Sequence, residues 1–129
     1  MDVRRLRVAL FAFFLLPALG TAPAQDVPLR ADQAAGHVGE VRTVCGQVVR
    51  AIYVPSANRQ PTFLNLDKPY PSHIFTVVIF GKDRGSFPEP PERLYRDKRV
   101  CAKGKITLYE RKPEIIAERP SQIHIVKQP

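Results

Sequence analysis

The chain has 129 residues, 44% of them apolar and 25% charged, and a formal net charge of +8. That length allows one compact domain and not two. Two cysteines and three widely separated histidines, with no CxxC, HExxH or nucleophile-elbow sequence, offer neither a metal-ligand pattern nor a catalytic motif.

Arg4, Arg5 and Arg7 precede an apolar run from Val8 to Leu16, and Ala22-Pro-Ala24 supplies small residues where a signal peptidase reads. The pattern is that of a secretory signal peptide cleaved after Ala24. A membrane anchor is the alternative, but the run falls short of the ~20 residues that span a bilayer. The expected organisation is a signal peptide over residues 1–24, an arm and short helix over 25–37, and one folded domain over 38–129. Such a protein would be periplasmic or secreted, with no stable membrane anchor. Cleavage removes Arg4, Arg5, Arg7 and Asp2, three positive charges and one negative, which leaves +6. An excess of that size suits an anionic partner such as nucleic acid or a lipid surface, and equally an ordinary soluble domain.

Asp32 to Val38 is a brief helical piece, interrupted by Gly36 and Gly39. The first long strand runs from Val41 to Val54. Val44, Gly46 and Val48 share its inner parity, and Thr43, Cys45, Gln47 and Val49 its outer one. Pro55 to Pro61 is a loop, and Thr62 to Leu66 is a second strand with Leu64 and Leu66 inward and Phe63 and Asn65 outward. After a turn over Asp67–His73, Phe75 to Phe80 is a third strand, so uniformly apolar that its parity is ambiguous. Pro88, Pro90 and Pro91 stiffen the connector that follows, and Pro91 to Tyr95 suits one helical turn with proline at its start. Lys98 to Tyr109 repeats the design of the first strand, with Val100, Ala102, Gly104, Ile106 and Leu108 inward. Glu110 to Pro113 is a tight connection, Glu114 to Glu118 a fifth strand, and Ser121 to Val126 an alternating tail against the barrel. A glycine within each long strand permits the close approach or bend that closes a small barrel.

Cys45 and Cys101 fall on the outer parity of the two long strands, so a cross-strand disulfide is expected. In the chain-entropy model it stabilises by roughly 3–4 kcal/mol. Two separate buried thiols are the alternative.

Five strands with a helical connector between the third and fourth make an all-β, five-stranded OB-fold barrel. The segments Val41-Arg-Thr-Val-Cys-Gly-Gln-Val-Val, Pro61-Thr-Phe-Leu-Asn-Leu, Phe75-Thr-Val-Val-Ile-Phe, Lys98-Arg-Val-Cys-Ala-Lys-Gly-Lys-Ile and Lys112-Pro-Glu-Ile-Ile with Pro120-Ser-Gln-Ile resemble exported bacterial OB-fold nucleic-acid-binding domains. Those are similar to the anticodon-binding type and to OB modules of secreted nucleases. The resemblance covers about residues 38–126 and implies a non-enzymatic protein without cofactor that binds single-stranded nucleic acid with little sequence preference.

OB barrels that bind single strands present aromatics on the outer faces of strands two and three, with cationic loops beside them. That places Phe63, Asn65 and Phe80 on the binding face, with Arg59, Lys82, Arg84, Arg111 and Lys112 around it. Lys103 and Lys105 add charge along the fourth strand. Phe63 would alternatively cap the barrel under the N-terminal segment, the tyrosines would be packing or turn residues, and Lys103 and Lys105 would be solvated residues guarding a strand edge. The competing function is an exported OB domain that binds a protein, such as another envelope protein, or a small molecule, without nucleic acid.

Overall fold

The computed structural model describes residues 9–18, 20 and 27–128. The charged start and the expected cleavage site after Ala24 lie outside the described residues. Within the apolar run, the side chains from Leu10 to Leu16 carry no regular structure and stand exposed. No helix among the described residues is long and apolar enough to cross a membrane.

Alternating apolar residues pair into strands β1 (Leu29–Arg30), β2 (Val41–Tyr53), β3 (Thr62–Leu66), β4 (Thr76–Ile79), β5 (Arg99–Tyr109), β6 (Lys112–Ile116) and β7 (Ile123–Ile125). Five of them close a barrel in the order β2-β3-β4-β6-β5, with β5 pairing back onto β2. The β4–β6 pair is parallel and the other four are antiparallel. This is the closed OB-fold architecture. β1, parallel to β2, and β7, antiparallel to β5, widen the sheet on one side.

β2 serves two partners because it is long and bends. Val41–Gln47 pair with β5, the strand shifts register between Val48 and Arg50, and Arg50–Tyr53 pair with β3. Gly46 sits where the partners change. A Cβ there would lie 3.0 Å from both the Leu66 Cβ and the Asp67 carboxylate. That carboxylate accepts the Gln47 N–H at 2.8 Å, and the Asp67 N–H donates back to the Gln47 carbonyl at 2.8 Å. Gly104 is equally confined, since a Cβ would meet Ile115 Cγ2 at 2.7 Å.

Val44, Val48, Val100, Ala102 and Ile106 fill the barrel with Leu64, Leu66, Phe75, Val77 and Ile79. The ambiguity of the third strand has a physical basis, because Val78, on the opposite parity, is also buried. Two inward or outward assignments change. Leu108 is 54% exposed, because β5 runs past the barrel mouth into its hairpin. Asn65, on the outward parity, is only 3% exposed.

The fifth strand begins two residues earlier than the sequence suggests. Glu110 (φ 48°) and Arg111 (φ 66°) both occupy the left-handed region and alone form the turn, so Tyr109 faces Lys112. Two successive left-handed residues match the twist of a tight hairpin.

The short helices pack on the barrel. A 3-10 helix over Ala31–His37 buries Ala31 and Ala34, and the Arg30 N–H donates to Gln33 Oε1 at 2.9 Å at its start. A second 3-10 helix covers Gly81–Ser86, and α1 (Pro91–Leu94) begins on a proline whose missing N–H needs no partner there. Tyr95 follows α1, meets Phe87 edge to face at 6.1 Å, and has its pKa pushed up to about 12 by burial. Cys45 and Cys101 are register partners joined by a disulfide, with Cα atoms 4.0 Å apart.

Candidate functional site

The part of β2 that leaves β5 opens a groove on the outer face of the barrel. Pairing register carries one rung across four strands, from Arg50 on β2 through Asn65 on β3 and Thr76 on β4 to Glu114 on β6. These four residues line a cavity of ≈ 290 Å³, walled by Phe63, Tyr70 and Tyr109 and closed at one side by His73 and Lys112. Tyr70 and Tyr109 are 62% and 61% exposed, so their rings are open to a bound partner.

The polar groups fall into two sets. Lys112 Nζ donates to the carbonyls of His73 (2.7 Å) and Pro71 (3.2 Å), tying β6 to the β3–β4 loop. Tyr70 stacks on His73 at 5.4 Å, and the Arg50 guanidinium lies 5.3 Å from the centre of the Tyr70 ring. Against these satisfied groups stand two orphans. Asn65 Nδ2 donates to Thr76 Oγ1 at 2.9 Å while Asn65 Oδ1 has no partner, and His73 Nδ1 is likewise buried and unpartnered. Burial, reinforced by the neighbouring Lys112 ammonium, lowers the His73 pKa and favours the neutral ring. Burial raises the pKa of Glu114.

The residues singled out in the sequence divide among several places. Phe63, Asn65 and Lys112 line this groove, and Arg111 is exposed at the hairpin beside it. Among the described residues before β2, Leu29 and Arg30 pair with Val44 and Cys45, at the end of β2 away from Phe63. Arg59, Phe80 and Lys82 line a separate, more open hollow, with the Arg59 guanidinium 3.7 Å from the centre of the Phe80 ring. Arg84 faces inward. Its guanidinium grips Glu92 with two hydrogen bonds (2.8 and 3.2 Å), donates to Thr62 Oγ1 and lies over the Tyr53 ring at 3.5 Å. Those bonds hold the Glu92 carboxyl below its usual pKa. Lys103 and Lys105 are exposed on β5, and Lys105 lines a third hollow with Glu118 and Gln122.

Arg50, Tyr70, His73, Tyr109 and Glu114 complete the groove without having been singled out. The rung that joins Arg50 to Glu114 depends on pairing register, which no local pattern in the sequence encodes. Among the described residues, no three His, Cys, Asp or Glu side chains cluster as a metal ion would require.

No family model matches the chain, and no curated protein matches it. Solved structures do resemble it. A protein assigned as an aspartyl-tRNA synthetase from Leishmania major superposes with a TM-score of 0.53 at 10% identity, covering 85% of this chain and 22% of that one. The asparaginyl-tRNA synthetase of Entamoeba histolytica superposes with a TM-score of 0.51 at 19% identity, covering 80% of this chain and 24% of that one. The chain thus spans about a quarter or less of either synthetase, and at these identities the likeness is one of fold.

Proposed function

We propose that the Phe63 groove binds single-stranded nucleic acid, and that the protein does so without catalysing a reaction, in the periplasm or outside the cell. The observation that carries this reading is the composition of one continuous surface. Three aromatic rings, Phe63, Tyr70 and Tyr109, stand beside Arg50 and Lys112, and exposed Arg111 precedes Lys112 in the hairpin. Aromatic faces stack on bases whatever their identity, and the cations meet phosphates. The synthetase domains that share the fold belong to enzymes that handle a nucleic acid, which is consistent with the reading. In this arrangement Arg84 serves as a tie inside the fold, and Arg59 with Lys82 offers a second cationic stretch beyond the groove.

The competing reading, a protein- or small-ligand-binding domain of the envelope, draws on Glu110 and Glu114, which give the groove two anions against its two cations. Fluorescence anisotropy with labelled oligonucleotides across a salt series separates the two. Nucleic-acid binding predicts affinity that falls as salt rises. Phe63→Ala should cost about 1–3 kcal/mol, and Arg111→Ala should weaken all sequences alike and flatten the salt slope. No binding at low salt, or binding indifferent to both substitutions, favours the ligand-binding alternative.

A further inference from the structure

Stacking and phosphate contacts do not account for the floor of the groove. Asn65 is almost wholly shut off from solvent, its Nδ2 is engaged by Thr76, and its Oδ1 meets no donor. A buried acceptor left unsatisfied costs a fold the full penalty of its lost hydration. Because Asn65 lines the cavity, a bound group bringing a donor would offset that cost.

Two strands away on the same rung, Glu114 brings a carboxylate, which when ionised can only accept hydrogen bonds. It forms no hydrogen bond or ion pair among the described residues, and burial alone accounts for its raised pKa. Thr76 lies between them with its oxygen already accepting from Asn65. The floor therefore presents two acceptors that no donor of the described residues meets, Asn65 Oδ1 and the Glu114 carboxylate, under aromatic walls that hold a flat ring.

We infer that the groove selects a nucleobase bearing an exocyclic amino group, read by Asn65 Oδ1 and the Glu114 carboxylate, over uracil and thymine. This rests on the reading of the groove as a nucleic-acid site and adds a preference to it. Cytosine donates from its 4-amino group, for which a carboxylate is a natural acceptor. Uracil presents an oxygen at the same position and sets acceptor against acceptor. The rings of Phe63, Tyr70 and Tyr109 stack on either base, so the discrimination comes from the floor.

The test compares two labelled homo-oligomers of about ten nucleotides, oligo(dC) and oligo(dU), at neutral pH and fixed salt, with the exported protein. The wild type should bind oligo(dC) roughly tenfold more tightly. Glu114→Gln and Asn65→Ala should each bring the two affinities toward equality. Phe63→Ala should weaken both oligomers by a similar factor and leave their ratio unchanged. Equal binding of the two oligomers by the wild type overturns the preference alone, and so does a ratio untouched by Glu114→Gln. Failure to bind either oligomer overturns the preference together with the assignment of the groove. The wild-type comparison decides the matter even where Asn65→Ala does not fold.

Discussion

Glu114 shows how a single residue works against the stability of the barrel. A carboxylate on a sheet surface is ordinarily solvated, but this one stands on the floor of the groove, where burial raises its pKa. A raised pKa means that the folded chain holds the proton more tightly than the unfolded chain. The ionised form therefore destabilises the fold above that pKa, and the penalty disappears as pH falls through it toward the ordinary glutamate range. Glu114→Gln should accordingly raise the melting temperature at neutral pH, with the gain vanishing in acid. Thermal unfolding of both proteins between neutral pH and about pH 4 checks this. An equal or lower melting temperature for the variant at neutral pH would contradict it. A variant that is more stable yet loses its preference among bases would mark Glu114 as kept for binding, since functional groups are often retained at the expense of stability.

At the scale of elements, Arg84 assigns a purpose to the connector between β4 and β5. Its guanidinium joins the 3-10 helix over Gly81–Ser86 to Glu92 of α1, to Thr62 at the start of β3 and to the Tyr53 ring at the end of β2. The Arg84 and Glu92 side chains are 17% and 18% exposed, so solvent screens the pair only in part. Hydrogen bonds to charged groups of this kind contribute about 1.5–3 kcal/mol. Arg84→Met should destabilise the protein by about 2 kcal/mol in urea denaturation while leaving oligonucleotide affinity and its salt slope as in the wild type. A stable variant with weakened binding would return Arg84 to the phosphate-binding set.

The elements also show what could be read in advance. The two long strands were legible because Val44, Gly46 and Val48, like Val100, Ala102 and Ile106, keep strict alternation, and a strand period admits one buried face. The start of β6 was not, since Glu110-Arg111 lacks the Asn-Gly signature of a left-handed turn yet adopts that conformation. Phe63 and Lys112 could be singled out from the expected OB layout, whereas Arg50, Tyr70, His73 and Glu114 come from three separate segments. Only the bulge after Val48 and the resulting register bring them together. Arg59 and Phe80 lie in the second hollow for a related reason, since the β2–β3 loop and the end of β4 meet at Gly81, whose N–H bonds to the Arg59 carbonyl at 2.9 Å.

On the scale of the whole molecule, the chain separates a stapled half from the half that carries the groove. The disulfide, β1 and β7 all attach to the portions of β2 and β5 that pair with each other. The groove uses Arg50 and Ile52 farther along β2 and Tyr109 at the other end of β5. With a sequence separation of 56, the Cys45–Cys101 bridge restrains a large share of the unfolded chain, worth roughly 3–4 kcal/mol. Replacing both cysteines with alanine should lower unfolding free energy by about that amount and preserve binding wherever the protein remains folded. Loss of binding in a folded double variant would show that the halves are coupled.

On the proposed reading, one face of this barrel, and not its overall charge, meets the nucleic acid. Heteronuclear NMR of the protein, titrated with oligo(dC) at moderate salt, tests that most directly. Shift changes should concentrate on the backbone amides of Arg50, Phe63, Asn65, Tyr70, His73, Lys112 and Glu114. Perturbations centred on Lys103, Lys105 or the Arg59–Phe80 hollow, or spread evenly over the basic surface, would contradict the claim.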